Sequence, residues 1–564
     1  MKTRNSIIAL VLMVFAASSC SESFLDQPPY GSTLTQAQYE QLDNALETSM
    51  RGVYSMLYNK ISDSHDEFGK RGIDLATDML SGDVALTSYS YGWFYVDEQG
   101  QTATSRTSYV WTYYYKMLRN INKVIAVVGT QSDLTKRIAE YGLPNAYNEK
   151  KEAYYVVDGK DTIATYSLTD AEVAGYYAQA LTMRGSIYSN LINLYAPTNA
   201  QMGTVWEEEV VCPIYNENNL EDAQPVASLK EVYQQVESDL TLAISYFDAF
   251  ADTYMRASKL VVNADVARGF LAYSYLNKAL PSAPGYYSSD NYNKAIAYAK
   301  QLIDAKTYSV IPNAEVLTTG FNNVNDNSWI WGQDVTTETA SGLASFFGQV
   351  DIHSYSYAWA GDTKVIDEVL YKHMTDSLSF DIRIKWFNDG TNNPTFKLCP
   401  DGKFFSAKNP TSTADSDLDR EWLSDNVYMR IESMYLIAAE ASYRLGKYDE
   451  ALSYLRGITD QRVDPAEGAA AKYEAYIAKL AASPKDLLIA IEDNWRIEMW
   501  GEGYGLQTFR RLSAETTTDG RKRGGNHASE AGATMDASAA KFVFRIPSSE
   551  TSYNPHYGTG TKLP

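Results

Sequence analysis

Apolar residues recur along most of this chain at the three- and four-residue spacing that places side chains on one face of an α-helix. The stretch Tyr176–Ala196 shows the pattern well, with an apolar stripe that we expect to face a partner helix. The stripe consists of Ala180, Met183, Ile187, Leu191 and Leu194. A second helix is predicted within Ser228–Phe247, where Ser228 and Glu231 have the spacing of a capping box. The pattern predicts a mainly α-helical protein.

Two pairs of predicted helices look like copies of one unit. In the first pair, Ala264–Lys278 precedes Asn291–Ile303. In the second, Met429–Arg444 precedes Lys447–Ile458, and Gly446 breaks the chain between them. Helix–turn–helix units with small residues where the helices cross resemble tetratricopeptide repeats. Ordinary helix hairpins would give the same two degenerate copies, so both interpretations stay open.

Long stretches without helical periodicity separate the helices and are rich in Gly, Asn, Ser, Asp and aromatic residues. They are Ser81–Ser108, Asn145–Thr169, Ala196–Gln224, Thr318–Gly361 and Asp389–Asp419. Loops of this length are usually functional or disordered, and their aromatic content favours order. Because no segment has the composition of a linker, we predict a single domain over residues 20–564. Its N-terminal part would cover about 20–230 and its C-terminal part about 260–564.

The beginning of the chain has the features of a secretory signal peptide. Lys2 and Arg4 precede the apolar stretch Ile7–Ala17, which is shorter than the ~20 residues that a bilayer-spanning helix needs. Small residues then lead to Cys20, as in a bacterial lipobox, where the thiol is acylated and becomes the new N-terminus. We predict that residues 1–19 are removed and that a lipid on Cys20 anchors the protein outside the cytoplasm. Ordinary cleavage next to an incidental cysteine is the alternative.

Composition narrows the classes of function. The chain of 564 residues carries a net charge of −21, and such an acidic surface repels nucleic acid. Tyrosine is abundant, with 44 residues against 18 Phe, and a ring with a hydroxyl suits a surface that is half apolar and half wet. This abundance favours a binding protein. Cys212 and Cys399 could form one disulfide or remain two buried thiols.

Motifs for catalysis do not emerge from the sequence. The five histidines are His65, His353, His373, His527 and His556. They lack metal-binding spacing, and no nucleophile elbow or phosphate-binding loop occurs. The glycines of Gly501–Gly505 follow a predicted helix, and Leu506 takes the place of the third glycine of a dinucleotide loop, which favours a helix C-cap. We predict no enzymatic activity, no catalytic metal and no cofactor, although the sequence does not reveal whether a structural calcium ion is bound.

The segment Asn494–Leu512 resembles a family signature in which a helix with spaced acidic residues precedes a loop and paired arginines. The matching residues are Arg496, Glu498, Glu502, Gly503, Arg510 and Arg511. Other matches, in the same order as in the family, are Asn122 with Val124–Ile125, Asp381 with Arg383, and Arg430 with Leu436, Glu440 and Ala441. The ending HYGTGTKLP departs from the usual Gln-Asn terminus. On these motifs the chain is similar to SusD/RagB-family outer-membrane nutrient-binding lipoproteins along almost its whole mature length.

This resemblance implies a fold and a set of partners. The fold would be a superhelical scaffold of about four tetratricopeptide-like helix pairs, with long irregular loops that build the ligand-binding face. The partner would be a SusC-like TonB-dependent barrel in the outer membrane of a Gram-negative bacterium. The lipoprotein would sit at the cell surface as a substrate-capturing lid over that barrel. The matching arginines and glutamates would be structural, in buried pairs that hold helices together.

Three functions follow as hypotheses. The first is a non-catalytic receptor that captures glycans, since sugar C–H faces stack on aromatic rings while hydroxyls bind amides and carboxylates. The second is an oligopeptide receptor, as the RagB-like members of the family imply. The third, from another class, is a surface hydrolase.

The loop Leu86–Gln99 is the leading candidate for the ligand site, because in the resembling family this early loop supplies aromatic residues. Alternation predicts one aromatic face on an extended segment, with Phe94 on the opposite side. That face would consist of Tyr89, Tyr91, Trp93 and Tyr95. We expect Trp93, helped by Tyr91 and Tyr95, to stack on sugar rings.

Two further expectations concern the same ligand. Asp83, which precedes the loop, would accept hydrogen bonds from sugar hydroxyls. A second alternating set of rings, Tyr355, Tyr357 and Trp359, lies in the segment His353–Trp359. The alternative is that the first loop is a β-hairpin or a packed loop that buries its rings.

Overall fold

The computed structural model describes residues 45–60, 62, 64–95, 97, 99, 105–128, 154–157, 160–163, 170–197, 209–249, 258–279, 289–405 and 423–557. Cys20 lies outside these residues, so its acylation stays a prediction. Over the described residues, fifteen α-helices dominate and the short strands form two-stranded antiparallel sheets. The predicted mainly α-helical class is confirmed, whereas the repeat-like geometry of the helix pairs remains a prediction.

The N-terminal part is built around one long central helix. Its helices are α1 (Ala45–Ser55), α2 (Lys70–Leu80), α3 (Ser105–Val128), α4 (Asp170–Tyr195) and α5 (Leu229–Ala249). Its strands are β1 (Val84–Leu86), β2 (Tyr154–Val157), β3 (Lys160–Ile163), β4 (Val210–Pro213) and β5 (Val226–Ser228). Helix α4 packs against α1, α3 and α5.

The expectation that α4 buries one stripe was too narrow, because the helix is buried on all sides from residue 174 to 189. Gly185 permits a close approach to α5, since a Cβ there would lie only 2.8 Å from Cγ of Leu240. The buried Arg184 is compensated by two hydrogen bonds of 2.8 Å to the carboxylate of Asp239. Charged residues on a helix therefore do not by themselves mark a solvent-facing side.

The C-terminal part continues the helical packing. Its helices are α6 (Ala264–Lys278), α7 (Ser289–Ala305), α8 (Phe346–Val350), α9 (Glu368–Ser377), α10 (Ile431–Arg444), α11 (Tyr448–Thr459), α12 (Ala469–Ala482), α13 (Pro484–Glu498), α14 (Gly505–Thr516) and α15 (Ser548–Tyr553). Its strands are β6 (Trp329–Gln333), β7 (Lys364–Ile366), β8 (Asn426–Arg430), β9 (Arg521–Lys522) and β10 (Thr534–Met535). The two predicted pairs, α6 with α7 and α10 with α11, pack as neighbours, and α7 also packs on α10.

Several helix ends follow from local signals along the chain. The capping box before α5 is present, with the Ser228 amide donating to the Glu231 carboxylate at 2.8 Å and the Glu231 amide donating to the Ser228 hydroxyl at 3.3 Å. Gly446 takes a positive φ of 73° in the turn between α10 and α11, as its role as a breaker requires. Helix α10 starts later than predicted because Met429 and Arg430 belong to β8.

The stretches predicted to be irregular contain short strands. Strand β1 lies in the first of them, β2 and β3 in the second, β4 in the third and β6 in the fourth. These strands have only three to five residues, which is too short for an alternating pattern to stand out. Strands β1 and β7, which are far apart in sequence, pair in antiparallel register with Ala85 opposite Val365.

A network of buried ion pairs joins β8 to the end of α13. The Glu498 carboxylate accepts hydrogen bonds from Arg430 at 2.8 Å and from Arg383 and Arg462 at 2.9 Å. The Glu502 carboxylate accepts from Arg430 at 2.9 Å and from Lys403 at 2.8 Å. We call these side chains the ionic centre: Arg383, Lys403, Arg430, Arg462, Glu498 and Glu502. All six are 4% exposed or less.

The charges in the ionic centre compensate one another. Burial alone would raise the pKa of Glu498, but the positive charges of Arg462 and Arg430 hold it well below its ordinary value. Burial lowers the pKa of Lys403 to about 8, against the opposing effect of Glu502. Removing one partner of such a buried network typically costs about 3–5 kcal/mol of stability. The network thus holds the C-terminal helices to the strand that precedes α10.

The paired arginines of the C-terminal motif, Arg510 and Arg511, are also held by partners within the protein. Arg511 donates to the Glu440 carboxylate at 2.8 and 2.9 Å. Arg510 donates at 2.7 Å to the backbone carbonyls of Asn193 and Ala196, which ties α14 to the end of α4. These contacts agree with the structural role that the family resemblance implied for the motif.

Both cysteines within the described residues are buried free thiols, which resolves the two alternatives left open by the sequence. Burial raises the pKa of Cys212 and of Cys399 to about 12. Since the thiolate is the reactive form, both side chains behave as small apolar residues at neutral pH.

Candidate ligand-binding site

The pairing of β1 with β7 brings the two predicted aromatic segments together. Beyond the strands, the Thr87 amide donates to the Thr363 carbonyl at 3.2 Å. The Ser88 hydroxyl donates to the Gly361 carbonyl at 3.1 Å. The loop that follows β1 and the loop that precedes β7 therefore lie side by side.

Four rings form the aromatic cluster at this junction: His65, Tyr91, Trp93 and Tyr357. The rings of His65 and Trp93 are stacked, with centroids 5.4 Å apart and planes inclined by 8°. The Tyr357 ring meets Tyr91 edge to face at 5.0 Å and Trp93 at 6.2 Å. The hydroxyl of Tyr357 lies 2.8 Å from Nδ1 of His65 and completes the cluster.

Two further ring pairs flank the cluster. Tyr89 and Tyr95 meet edge to face at 4.3 Å, and Tyr355 contacts Trp359 at 5.4 Å. Tyr89, Tyr91 and Tyr95 are 47%, 49% and 36% exposed, which leaves rings of the first loop open to solvent. The alternative that this loop buries all its rings is therefore wrong, although Tyr357 is buried and Trp93 is half-buried.

The first loop is a turn anchored in the core, and the expectation of an extended segment was wrong. Gly92 and Phe94 have positive φ angles of 77° and 63°, which an extended strand does not contain. Phe94 is fully buried, and the guanidinium of Arg106 lies 5.1 Å from its ring centroid. Arg106 also donates to the Asp97 carboxylate at 3.1 Å. These contacts fix the loop, and Phe94 points away from the exposed tyrosines as predicted.

A buried lysine supports the cluster from below. The Lys364 ammonium donates to the carboxylate of Asp362 at 2.6 Å and to the side-chain carbonyl of Gln349 at 2.9 Å. The amide nitrogen of Gln349 in turn donates to the backbone carbonyl of His65 at 2.9 Å. Burial lowers the pKa of Lys364. We call Lys364, Asp362 and Gln349 the polar bed of the cluster, because their hydrogen bonds fix the backbone next to the rings. Such preorganisation lowers the entropic cost of binding.

Asp83 is not available to a ligand, contrary to the prediction. Its side chain is 2% exposed, and its carboxylate accepts a hydrogen bond from Arg496 at 2.7 Å and one from the Ser81 hydroxyl at 3.2 Å. The Trp500 indole also donates to its backbone carbonyl at 2.8 Å. Asp83 lies in the turn that leads into the buried strand β1, and its carboxylate pairs with an arginine of the C-terminal motif instead of facing the solvent.

His65, Gln349 and Lys364 were missed by the sequence reasoning. His65 was considered only as a metal ligand, and burial lowers its pKa, which favours the neutral ring that can bond the Tyr357 hydroxyl. The antiparallel pairing of β1 with β7 places Lys364 beside the aromatic loop, and hydrogen bonds through Gln349 connect it to His65. A histidine within an acidic, aromatic-containing stretch, SDSHDEF, was the one weak signal.

Within the described ranges, no three side chains of His, Cys, Asp or Glu come together in a way that could hold a metal ion. None of the described helices combines the length and the apolarity needed to cross a bilayer.

Comparison with known proteins supports the family resemblance. Residues 353–557 match the SusD family model. A SusD-like protein of Bacteroides ovatus is 22% identical over 466 residues, which cover 78% of this chain and 72% of that protein. The predicted resemblance to the SusD/RagB family is confirmed.

Solved structures share the fold. A SusD-like carbohydrate binding protein from Bacteroides vulgatus ATCC 8482 superposes with a TM-score of 0.62 at 20% identity, over 92% of this chain and 97% of that one. A SusD superfamily protein from Bacteroides thetaiotaomicron VPI-5482 gives 0.62 at 17% identity, over 91% and 98%. At these identities the likeness establishes the common fold.

Proposed function

We propose that this SusD-like chain is a non-catalytic receptor that captures glycans through the aromatic cluster and its flanking ring pairs. The observation that carries the proposal is the exposed set of tyrosines beside His65, Trp93 and Tyr357, held on a fixed polar bed. A similar structure is that of a carbohydrate binding protein, which agrees with this function. Tyr91, Trp93, Tyr95, Tyr355, Tyr357 and Trp359 are the proposed ligand-binding residues.

The geometry suits sugars because it offers both kinds of contact that they need. Ring faces and edges in several orientations can stack on sugar C–H groups, as aromatic residues do with other apolar surfaces. Tyrosine hydroxyls can donate to and accept from sugar hydroxyls.

The second part of the proposed function is delivery of the captured glycan to a transporter. The lipid on Cys20 would hold the receptor at the outer membrane, on the cell surface. There it would pass glycans to a SusC-like TonB-dependent barrel. A Cys20→Ala protein should lose radioactive palmitate and leave the membrane fraction. Purification from mildly solubilised membranes should recover a barrel with the wild-type protein, and recovery of the lipoprotein alone would count against the partnership.

An array of glycans and oligopeptides, probed with the soluble chain truncated before Cys20, tests the capture function. The wild-type protein should bind one class of glycan, and Tyr91→Ala should lose most of that signal. Tyr448→Ala is the matched control, since this tyrosine is 42% exposed on the remote helix α11. Binding of peptides alone would favour the RagB-like alternative, and release of cleaved sugar during incubation would favour a hydrolase.

A further inference from the structure

A cavity of about 400 Å³ lies beside His353, at the start of the segment His353–Trp359 that carries Tyr357. His353 lines this cavity, while Tyr357, four residues later, belongs to the aromatic cluster. Four residues of chain span at most about 14 Å, so the two places are close enough for one elongated ligand to reach both. The volume falls in the range of about 300–1,000 Å³ that is typical of small-molecule sites.

Aromatic rings and hydrogen-bond acceptors line the cavity together. The Tyr371 ring stands nearly perpendicular to the buried Phe387 ring, with centroids 6.4 Å apart. The exposed carboxylate of Asp389 and the side chain of Asn392 lie on the same lining, and Asp401 is bonded to Nε2 of His353 at 2.7 Å. This combination matches a ligand that has both C–H faces and hydroxyl donors.

The charges of the lining select against anions. Among the described residues of the lining, Lys385 is the one lysine. Its ammonium lies 2.6 Å from the Asp464 carboxylate, so its charge is compensated outside the cavity. Asp401 is shared with His353, whereas no cation pairs with Asp389 among the described residues. A neutral, hydroxyl-rich ligand is therefore favoured over a phosphate or a carboxylate.

Backbone contacts fix the loop that forms the cavity wall. The Asn388 amide donates to the Cys399 carbonyl at 3.0 Å and the Leu398 amide donates back to the Asn388 carbonyl at 2.6 Å. The Asn388 side chain bonds the Asn393 carbonyl at 3.2 Å and the Gly390 amide at 2.7 Å. The wall thus has a defined shape before any ligand arrives, and preorganisation favours binding.

We propose that this cavity is a second glycan subsite, which holds sugar units of the same chain whose other units lie on the aromatic cluster. The inference rests on the proposed function. Tyr371 would supply the stacking surface, and Asp389 and Asn392 would bond the sugar hydroxyls. Ligands long enough to span both places would bind more tightly than short ones.

Isothermal titration with short and long members of the cello-, manno-, xylo- and malto-oligosaccharide series tests the subsite. For the series that the protein binds, Tyr371→Ala and Asp389→Asn should weaken the long member about tenfold and leave the short member unchanged. Tyr91→Ala should weaken both members. Asp376→Asn is the control, because this residue is exposed on the same helix as Tyr371 and pairs with Lys372 outside the cavity.

The outcomes separate the two proposals. If Tyr91→Ala weakens binding while both cavity variants bind the long member like wild type, the second subsite is wrong and the capture function stands. If Tyr91→Ala binds the series like wild type, the aromatic cluster is not the capture site and the subsite proposal fails with it. If neither the array nor these series contain a glycan that the protein binds, the capture function itself fails. Asp389→Asn keeps the test valid if Tyr371→Ala lowers the melting temperature, since Asp389 is fully exposed.

Discussion

The ionic centre and the aromatic cluster are two side-chain assemblies of opposite kind. The ionic centre places six charged groups in the interior, each satisfied by a neighbour, with no surface left for a ligand. The aromatic cluster and its flanking pairs place apolar rings partly in solvent, where Tyr91 keeps about half of its surface exposed. Each assembly inverts the usual distribution of polar and apolar groups.

The comparison shows that exposed aromatic rings, and not buried charges, indicate a binding function. Buried charges that are fully paired are explained by the folding of the chain around them. Exposed rings fixed on a polar bed gain little for the fold, so binding is the better explanation for them. The motif most recognisable in the sequence belongs to the first assembly, whereas the proposed site belongs to the second.

The largest loss in the free energy of unfolding should follow from breaking the ionic centre. Glu498→Ala would leave Arg383, Arg430 and Arg462 without their shared carboxylate, and we expect a loss of about 3–5 kcal/mol in the free energy of unfolding. Urea unfolding measures this loss. Glu474→Ala, on the exposed face of α12, should change stability by less than about 0.5 kcal/mol. Similar small losses for both variants would contradict the structural role of the ionic centre.

Acid should weaken the same assembly. The charges of neighbouring arginines hold the pKa of Glu498 and of Glu502 below the ordinary value, although burial opposes them. Their stabilisation is therefore complete above the unfolded-state pKa near 4.3 and is lost as pH falls through the lower folded-state values. Burial raises the pKa of the neighbouring Glu432, which contributes the opposite sign.

The pH dependence of unfolding in wild type and Glu498→Gln tests this acid effect. The wild-type free energy of unfolding should fall more steeply below about pH 4.3, because the glutamine has no proton to bind. Equal slopes for the two proteins would mean that Glu498 does not contribute.

Trp93 is partly buried and also belongs to the proposed site, so its replacement should lower both the stability and the glycan affinity. Its ring is half-buried and stacked on His65, so Trp93→Ala should cost less than the ~3–5 kcal/mol of a fully buried tryptophan. Glycan affinity should also fall by ~1–3 kcal/mol, taking base–aromatic stacking as a guide. Thermal melting and titration on one purified variant measure both. A large melting shift with intact affinity would make Trp93 a packing residue only.

The smallest change in the free energy of unfolding should follow from breaking an exposed ion pair. On α9, the Lys372 ammonium lies 2.5 Å from the Asp376 carboxylate, and the two side chains are 74% and 56% exposed. Because water screens such pairs, Lys372→Ala should change the free energy of unfolding by less than about 0.5 kcal/mol. A loss comparable to that of Glu498→Ala would mean that burial does not separate the two kinds of pair. Urea unfolding under the same conditions allows the direct comparison.

The helices could be predicted because their signals are local. The bounds of α6 match the sequence pattern at both ends, and the capping box of Ser228 and Glu231 places the start of α5. The all-round burial of α4 was missed because a stripe is not needed when neighbours cover every side. The paired arginines and glutamates were expected from the family motif, and their partners in the fold agree with it.

The site could be predicted only in part because its assembly is not local. Both aromatic segments stood out by composition, but their contact depends on the pairing of β1 with β7 across the chain. Asp83 was misplaced because sequence proximity to the aromatic loop does not reveal the salt bridge with Arg496. His65 and Lys364 carry no pattern that would connect them to the loop.

Hydrogen–deuterium exchange with and without the glycan selected on the array tests the central claim most directly. Amides in irregular loops exchange readily, so bound ligand should be visible as new protection there. We predict that protection will rise in residues 87–95 and 353–363 and stay unchanged around Arg430 and Glu498. Protection that leaves both loops unchanged while appearing elsewhere would contradict the assignment of the aromatic cluster as the ligand site.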